Sequence, residues 1–181
     1  MLLGAEIHSS PLGGSEKLFL KPALTSGILS ENQCSGIIAL AHKEDRWRAS
    51  NFGQRLIYSL PSDLCDMVWE LVRPWVPSRI KGRRLKGFFE PTAQLFWYQR
   101  GDRFPPHSDR AAEDEDGGIS YFTVVIYLNN CKGGGTYFPD LGLLFQPALG
   151  SALIFPQDLV HESQVLTSDS KYILRAQVMY I

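Results

Sequence analysis

The chain changes its hydrophobic period once, near its midpoint. In the first half, apolar positions recur at helical spacing. Cys34, Ile37, Ile38 and Ala41 follow the i, i+3, i+4 rule and share one face. Ser30 and Gln33 ahead of them form a capping box, whose hydroxyl and amide satisfy two otherwise unpartnered helix donors. This predicts a helix over about 31–43. Leu64, Met67, Val68, Leu71 and Val72 make a second stripe and predict a helix over about 61–73. Pro74 ends it, lacking a donor and disfavouring helix at the residue before it. From about residue 92 the period falls to two. Segments 93–98, 121–128, 135–138, 143–146, 151–155 and 171–181 are short, β-branched or aromatic, and bounded by Gly, Pro and Asn. Many short strands at this spacing predict a mainly β sandwich or barrel with the helices packed on its outside. Residues 1–23 read as a leader, flexible over 9–15. The remainder reads as one domain over 24–181, with its strand core at about 92–181.

Composition narrows the class of function. A chain of 181 residues, 44% hydrophobic and 20% charged, is an ordinary globular domain large enough to bury a core. Eighteen Lys+Arg against nineteen Asp+Glu leave a formal charge of −1. That removes the bulk electrostatic case for nucleic acid or an anionic membrane as main partner. No apolar run is long enough to predict a membrane span, and residues 1–11 lack the basic and apolar regions of a secretory signal. Cys34, Cys65 and Cys131 are odd in number and far apart, which suits neither a disulfide framework nor a Cys-x-x-Cys metal site. The expected location is reducing and intracellular, cytoplasmic or nuclear. Composition says nothing of oligomeric state.

Chemistry concentrates in two of the four histidines. His8 lies in the leader, and His42 sits at a charged helix end where a solvated role is expected. His107 is followed by Asp109. In an extended segment residues i and i+2 point to one side, so imidazole and carboxylate converge. His161 follows an apolar strand and the turn Pro156-Gln157-Asp158. Two histidines and one carboxylate on one face of a metal leave three positions open, the facial triad of non-haem Fe(II) oxygenases. His-x-Asp recurs by chance, so the assignment stands on its context. In the last segment, alternation puts Lys171, Ile173, Arg175, Gln177 and Met179 on one face and Tyr172, Leu174, Ala176, Val178 and Tyr180 on the other. A cation on such a strand is costly unless paired, and a dianionic ligand would pair it.

That context resembles the 2-oxoglutarate- and Fe(II)-dependent dioxygenases, in particular the prolyl 4-hydroxylase-like branch. The motif Tyr98-x-x-Gly101-x-x-Phe104-x-x-His107-x-Asp109 is similar to that branch's first-ligand motif. Val124-Val125-Ile126-Tyr127-Leu128-Asn129, then Gly134-Gly135-Thr136-Tyr137-Phe138, resembles its central segment. Phe145-Gln146-Pro147 with the run from Gly150 to Phe155 resembles the strand pair before the distal histidine, and Lys171 stands ten residues after His161 at the family's spacing. The resemblance runs from about Leu24 to Ile181. It implies a double-stranded β-helix, or jelly roll. It implies Fe(II) held by His107, Asp109 and His161, with 2-oxoglutarate as co-substrate, dioxygen as oxidant and ascorbate as a candidate auxiliary reductant. Lys171 is implied to hold the remote carboxylate of 2-oxoglutarate, with Tyr98 and Arg175 as further candidates. Lys171 and Arg175 stand about 13 Å apart along an extended strand, so they cannot share one carboxylate. Arg175, Arg110 and Gln177 are candidates to face the substrate or to back the metal ligands. Because a carboxylate stands at Asp109, hydroxylation is expected rather than halogenation. The substrate implied is a prolyl or other amino-acid side chain in a peptide or protein. A free amino acid or small molecule is the alternative. Two remoter readings are an inactive jelly-roll binding module and a cupin-like metal enzyme without 2-oxoglutarate.

Other features carry less. The acids Glu113 to Asp116, closed by Gly117-Gly118, predict a solvated loop or a mobile lid over the metal motif. The basic stretch from Arg79 to Lys86 predicts a solvated connector. Trp47, Trp69, Trp75 and Trp97 predict packing, and Gly133 to Gly135 a turn.

Overall fold

Strands, not helices, carry the architecture. A computed structural model describes residues 3–4, 7–8, 21–25, 27–44, 47–59, 61–89 and 92–181, so residues 9–15 of the predicted leader lie outside it. The capping box forms as predicted. Ser30 N–H donates to Gln33 Oε1 at 2.8 Å and Gln33 N–H to Ser30 Oγ at 3.3 Å. Helix α1 (Glu31–Glu44) follows and buries Cys34, Ile37 and Ala41. Helix α2 (Ser62–Val72) buries Val68 and Val72 and gives way to a 3₁₀ turn, Arg73–Trp75, that contains Pro74.

The larger sheet runs β2 (Ile7–His8), β3 (Ala23–Thr25), β13 (Ala152–Pro156), β10 (Ile119–Tyr127), β15 (Ser170–Tyr180), β8 (Thr92–Gln99), β5 (Gly53–Ser59), β4 (Arg48–Ser50). The smaller runs β1 (Leu3–Gly4), β12 (Leu143–Phe145), β11 (Thr136–Phe138), β14 (His161–Ser163), β9 (Phe104–His107). A short hairpin of β6 (Arg79–Ile80) and β7 (Arg83–Phe88) attaches to the C-terminal part of β15. Alternation on the larger sheet builds two cores. Val124, Ile126, Leu95, Ile154 and Leu174 face the helices and pack with Ile37, Val68 and Val72. Val125, Tyr127, Phe96, Leu153 and Ile173 face the smaller sheet and pack with Phe138 and Phe145. With both faces covered, β10 is buried nearly throughout, which explains its almost unbroken apolar run. The layers are therefore helix, sheet, sheet, the jelly roll expected from the resemblance.

Four expectations need correction. Strands also occur before residue 92. β5 extends the sheet beside β8, and β7 pairs with β15. The stretch from Arg79 to Lys86 is the β6–β7 hairpin, not a connector. It buries Ile80 and turns at Lys81 (φ 48°) and Gly82 (φ 78°). Its charges hid it, and charged side chains are what an edge strand uses to discourage further pairing. Within the predicted leader, Leu3–Gly4 pairs with β12 and Ile7–His8 with β3, both in parallel. Finally, His42 is not merely solvated. Its Nε2 lies 3.0 Å from the Tyr172 hydroxyl, and its ring meets Trp47 at 5.5 Å and Trp97 at 5.2 Å.

Candidate metal centre and its cavity

The register of the smaller sheet sets His161 opposite His107, with ring centroids 4.4 Å apart. Each ring is fixed the same way. His107 Nδ1–H donates to the Pro105 carbonyl at 2.8 Å, and His161 Nδ1–H to the Leu159 carbonyl at 3.0 Å. A carbonyl can only accept, so the proton sits on Nδ1 and each Nε2 keeps its lone pair, the arrangement a metal ligand needs. Phe104 lies 4.2 Å from His107, and Phe155 lies 4.6 Å from His161. These rings restrict the imidazoles, and His161 is the more deeply buried of the two. Burial also holds the His161 pKa below its ordinary value, which favours the neutral ligand form.

Asp109 completes the set. Ligand atoms of His107, Asp109 and His161 all lie within 4.8 Å of one another. The Asp109 carboxylate is 8% exposed and fully engaged. Oδ1 pairs with Arg175 Nη2 at 2.8 Å, and Oδ2 accepts from Thr123 Oγ1 at 2.5 Å. Each carboxylate oxygen has a second lone pair, so the carboxylate can still ligate while both contacts hold its plane. Arg175 Nη1 donates to Gln94 Oε1 at 3.0 Å. The donor set of two imidazole nitrogens and one carboxylate oxygen, with an open side, fits ferrous iron.

All three residues line a cavity of ≈ 450 Å³ that also reaches Tyr98, Thr136, Ser163 and Lys171. Lys171 is 1% exposed. Its ammonium donates to the Gly134 carbonyl at 2.7 Å and to Ser163 Oγ at 2.5 Å, and it stands 4.4 Å above the Tyr98 ring. Among the described residues no carboxylate pairs with it. Burial pushes its pKa down to about 8, partly opposed by Cys131. A buried cation with only neutral acceptors, facing a cavity that contains a metal-binding triad, fits the remote carboxylate of 2-oxoglutarate.

The remaining expected residues separate. Tyr98 lines the cavity with its pKa raised, chiefly by burial. Arg175 lies at the metal end, on Asp109, rather than at the Lys171 end. Arg110 lines the mouth of the cavity. Gln177 holds the backbone from behind, its Nε2 donating to the Arg110 carbonyl at 2.8 Å. Sequence reasoning missed Thr123, Gln94 and Ser163. Thr123 had a signal, being the polar residue in the inward-facing row Thr123, Val125, Tyr127. The acidic loop is fastened rather than loose. Lys86 Nζ meets Asp114 at 2.8 Å and Asp116 at 2.7 Å, and Arg83 Nη1 donates to the Gly117 carbonyl at 2.9 Å. The loop is solvated as expected, with Glu113, Glu115 and Asp116 exposed, and the basic hairpin clasps it through Asp114 and Asp116.

Comparison with known proteins agrees with this geometry. Residues 93–177 match the model of the 2OG-Fe(II) oxygenase superfamily. A protein of Acanthamoeba polyphaga mimivirus with the provisional name prolyl 4-hydroxylase is 52% identical over 42 residues, a match spanning 23% of this chain and 17% of that protein. Among solved structures, a viral collagen prolyl hydroxylase from Paramecium Bursaria Chlorella virus-1, in complex with 2OG, superposes with a TM-score of 0.70 at 19% identity, covering 88% of this chain and 96% of the other. A Trichoplax adhaerens prolyl hydroxylase, in complex with a peptide fragment of the hypoxia inducible factor oxygen degradation domain, superposes with a TM-score of 0.66 at 15% identity over 88% of this chain and 83% of the other. At these identities the structures speak for the fold, and the family match speaks for kinship. Residues 93–177 are thus similar to the 2OG-Fe(II) oxygenase superfamily, and the fold as a whole is that of solved prolyl hydroxylases.

Proposed function

We propose that the protein hydroxylates an unactivated C–H bond of a prolyl or other amino-acid side chain in a peptide or protein. The observation that carries this is one cavity with a facial His107–Asp109–His161 set at one end and the unpaired Lys171 ammonium at the other. Ferrous iron with 2-oxoglutarate and dioxygen supplies the oxidation when bound. Overall, one oxygen atom would go into the C–H bond and the other into the new carboxylate of succinate, with loss of carbon dioxide. The chain's own residues orient and shield. His107, Asp109 and His161 would hold the metal on one face. Lys171 would anchor the far carboxylate of 2-oxoglutarate, with the Tyr98 ring beneath its ammonium. Arg175 and Thr123 keep Asp109 in plane, and Phe104, Phe138 and Phe155 pack against the histidines. A peptide substrate is favoured because relatives of the branch bear prolyl hydroxylase names and one is in complex with a peptide. A reducing compartment, cytoplasmic or nuclear, is part of the proposal, supported by three cysteines that are odd in number and far apart in the chain.

The test is succinate release with Fe(II) and 2-oxoglutarate across prolyl peptides, other peptides and free amino acids, with product mass. A peptide gaining one oxygen atom in step with succinate supports the reading. Succinate coupled only to a free amino acid or metabolite moves the substrate to small molecules. Absence of both metal binding and succinate would sink the enzyme reading.

A further inference from the structure

This inference rests on the oxygenase reading and deepens it to a substrate class. Three fixed cations line the cavity, Arg110, Lys171 and Arg175, against one carboxylate, Asp109. Two positive charges are left in excess. Loading the site does not change that balance, because a ferrous ion brings two positive charges and 2-oxoglutarate two negative ones. Lys171 faces the co-substrate end, and Arg175 is engaged by Asp109 and Gln94. Arg110 is different. Its backbone is held one residue from Asp109, its carbonyl accepting from Gln177 Nε2. Its side chain is exposed, lines the cavity mouth, and has no hydrogen-bond or ion-pair partner among the described residues. The acids at 113–116 do not cancel it. None of them lines the cavity, and Asp114 and Asp116 are taken by Lys86.

We propose that the substrate carries a carboxylate on the hydroxylated residue or on its neighbour, and that Arg110 receives it, backed by the spare N–H donors of Arg175. A guanidinium has five donors, and Arg175 spends one each on Asp109 and Gln94. Successive Cα atoms are about 3.8 Å apart, so a carboxylate reaching the mouth beside Asp109 belongs to the target residue or its neighbour. The acidic loop outside repels a longer acidic tract. Two sources of carboxylate satisfy this chemistry: an Asp or Glu side chain beside the target residue, or the α-carboxylate of a C-terminal target residue.

The experiment uses fluorescein-labelled peptides in matched pairs: an internal Pro-Asp against Pro-Asn and Pro-Lys, and a terminal proline as free acid against its amide. Binding to the anaerobic protein loaded with Fe(II) and 2-oxoglutarate is read by anisotropy, and hydroxylation by kcat/KM in air. The acid member of a pair should bind about tenfold more tightly than its neutral partner, the size of one charge-assisted hydrogen bond at a half-open site. That preference should fall with added salt. Arg110→Glu should reverse the order in favour of the Pro-Lys peptide. The pair that shows the preference identifies the source of the carboxylate. Equal binding across both pairs, or an acid preference that survives Arg110→Glu, overturns the proposal. Succinate formed without regard to charge leaves the oxygenase reading standing and removes only this one. The binding arm needs no turnover, so it decides the charge preference even if no peptide is hydroxylated.

Discussion

The two ends of the cavity handle buried charge in opposite ways. At the metal end, Asp109 is closed by the chain itself, with Arg175 on one oxygen and Thr123 on the other. At the far end, Lys171 is more deeply buried and has, among the described residues, a carbonyl, a hydroxyl and the Tyr98 ring beside it but no carboxylate. A buried ion pair roughly balances desolvation against attraction, whereas an unpaired buried charge is costly. The first end is thus preassembled and positions a ligand. The second carries a cost that an incoming carboxylate would remove, and burial lowers the pKa of Lys171 accordingly. The completeness of local charge pairing therefore separates a positioning group from a receiving one.

The comparison can be broken most severely at Asp109. Asp109→Ala should abolish coupled hydroxylation while the domain still folds, since no core strand is touched, although Arg175 loses its partner. Product mass and a thermal melt check this. Near wild-type hydroxylation without an added anion would separate Asp109 from the metal. Next comes the contrast between cations. Lys171→Met should raise the 2-oxoglutarate KM by roughly ten- to a hundredfold, the range of a charge-assisted hydrogen bond. Arg175→Met should instead weaken iron binding, because it strips the pair from Asp109. Titrations of co-substrate and of Fe(II) on both variants measure the order, and the reverse order would exchange the two roles.

A smaller effect is expected at Gly134, whose carbonyl holds Lys171. Its φ is +63°, and a Cβ there would stand 3.1 Å from Lys171 Cδ. Gly142 has φ +64° with nothing within 4 Å of such a Cβ. Alanine at either position should cost about 1–2 kcal/mol of stability from left-handed strain. Only Gly134→Ala should also raise the 2-oxoglutarate KM, by a fewfold, as Lys171 is displaced. Equal KM values for the two variants would mean that Gly134 does not set the ammonium.

The smallest effect is one of pH. Lys171 falls from an ordinary 10.5 to about 8 in the folded chain. Between those values the unfolded state keeps a proton that the folded one has released. Without 2-oxoglutarate, stability should therefore rise with pH over that window relative to Lys171→Met. Stabilisation by 2-oxoglutarate should fall over the same window, since the dianion pairs with the protonated amine. Melts from pH 7 to 10, with and without co-substrate, check both signs.

Much of the site was legible because it is local. His107 and Asp109 are two residues apart, and Lys171 follows His161 at the spacing of the family the chain resembles, so the resemblance joined the two pairs. The helices were equally legible, since capping and an apolar stripe are properties of one segment. Strands β9 and β14 were not. The first is Phe-Pro-Pro-His and the second His-Glu-Ser, neither with a β signature, and prolines cannot donate to a ladder. Charged β7 was hidden because its pairing with β15 lies in neither segment alone.

The amino-acid order by itself determined the helix limits, the alternating faces of β10 and β15, and the identity of the metal-ligand candidates. The first two depend on periodicity, which backbone geometry reads directly, and the third on a short His-x-Asp spacing together with the family resemblance that adds His161. Only the tertiary structure decided that Arg175 closes on Asp109 while Lys171 stays open. Arg175 and Lys171 have the same charge and share one face of one strand. What separates them is where β15 lies against its neighbours: Thr123 of β10, Gln94 of β8 and Asp109 converge at one end, and Gly134 ahead of β11 and Ser163 of β14 meet the other. Charge compensation depends on which groups are brought within a few ångströms, and that distance is a property of the folded sheets.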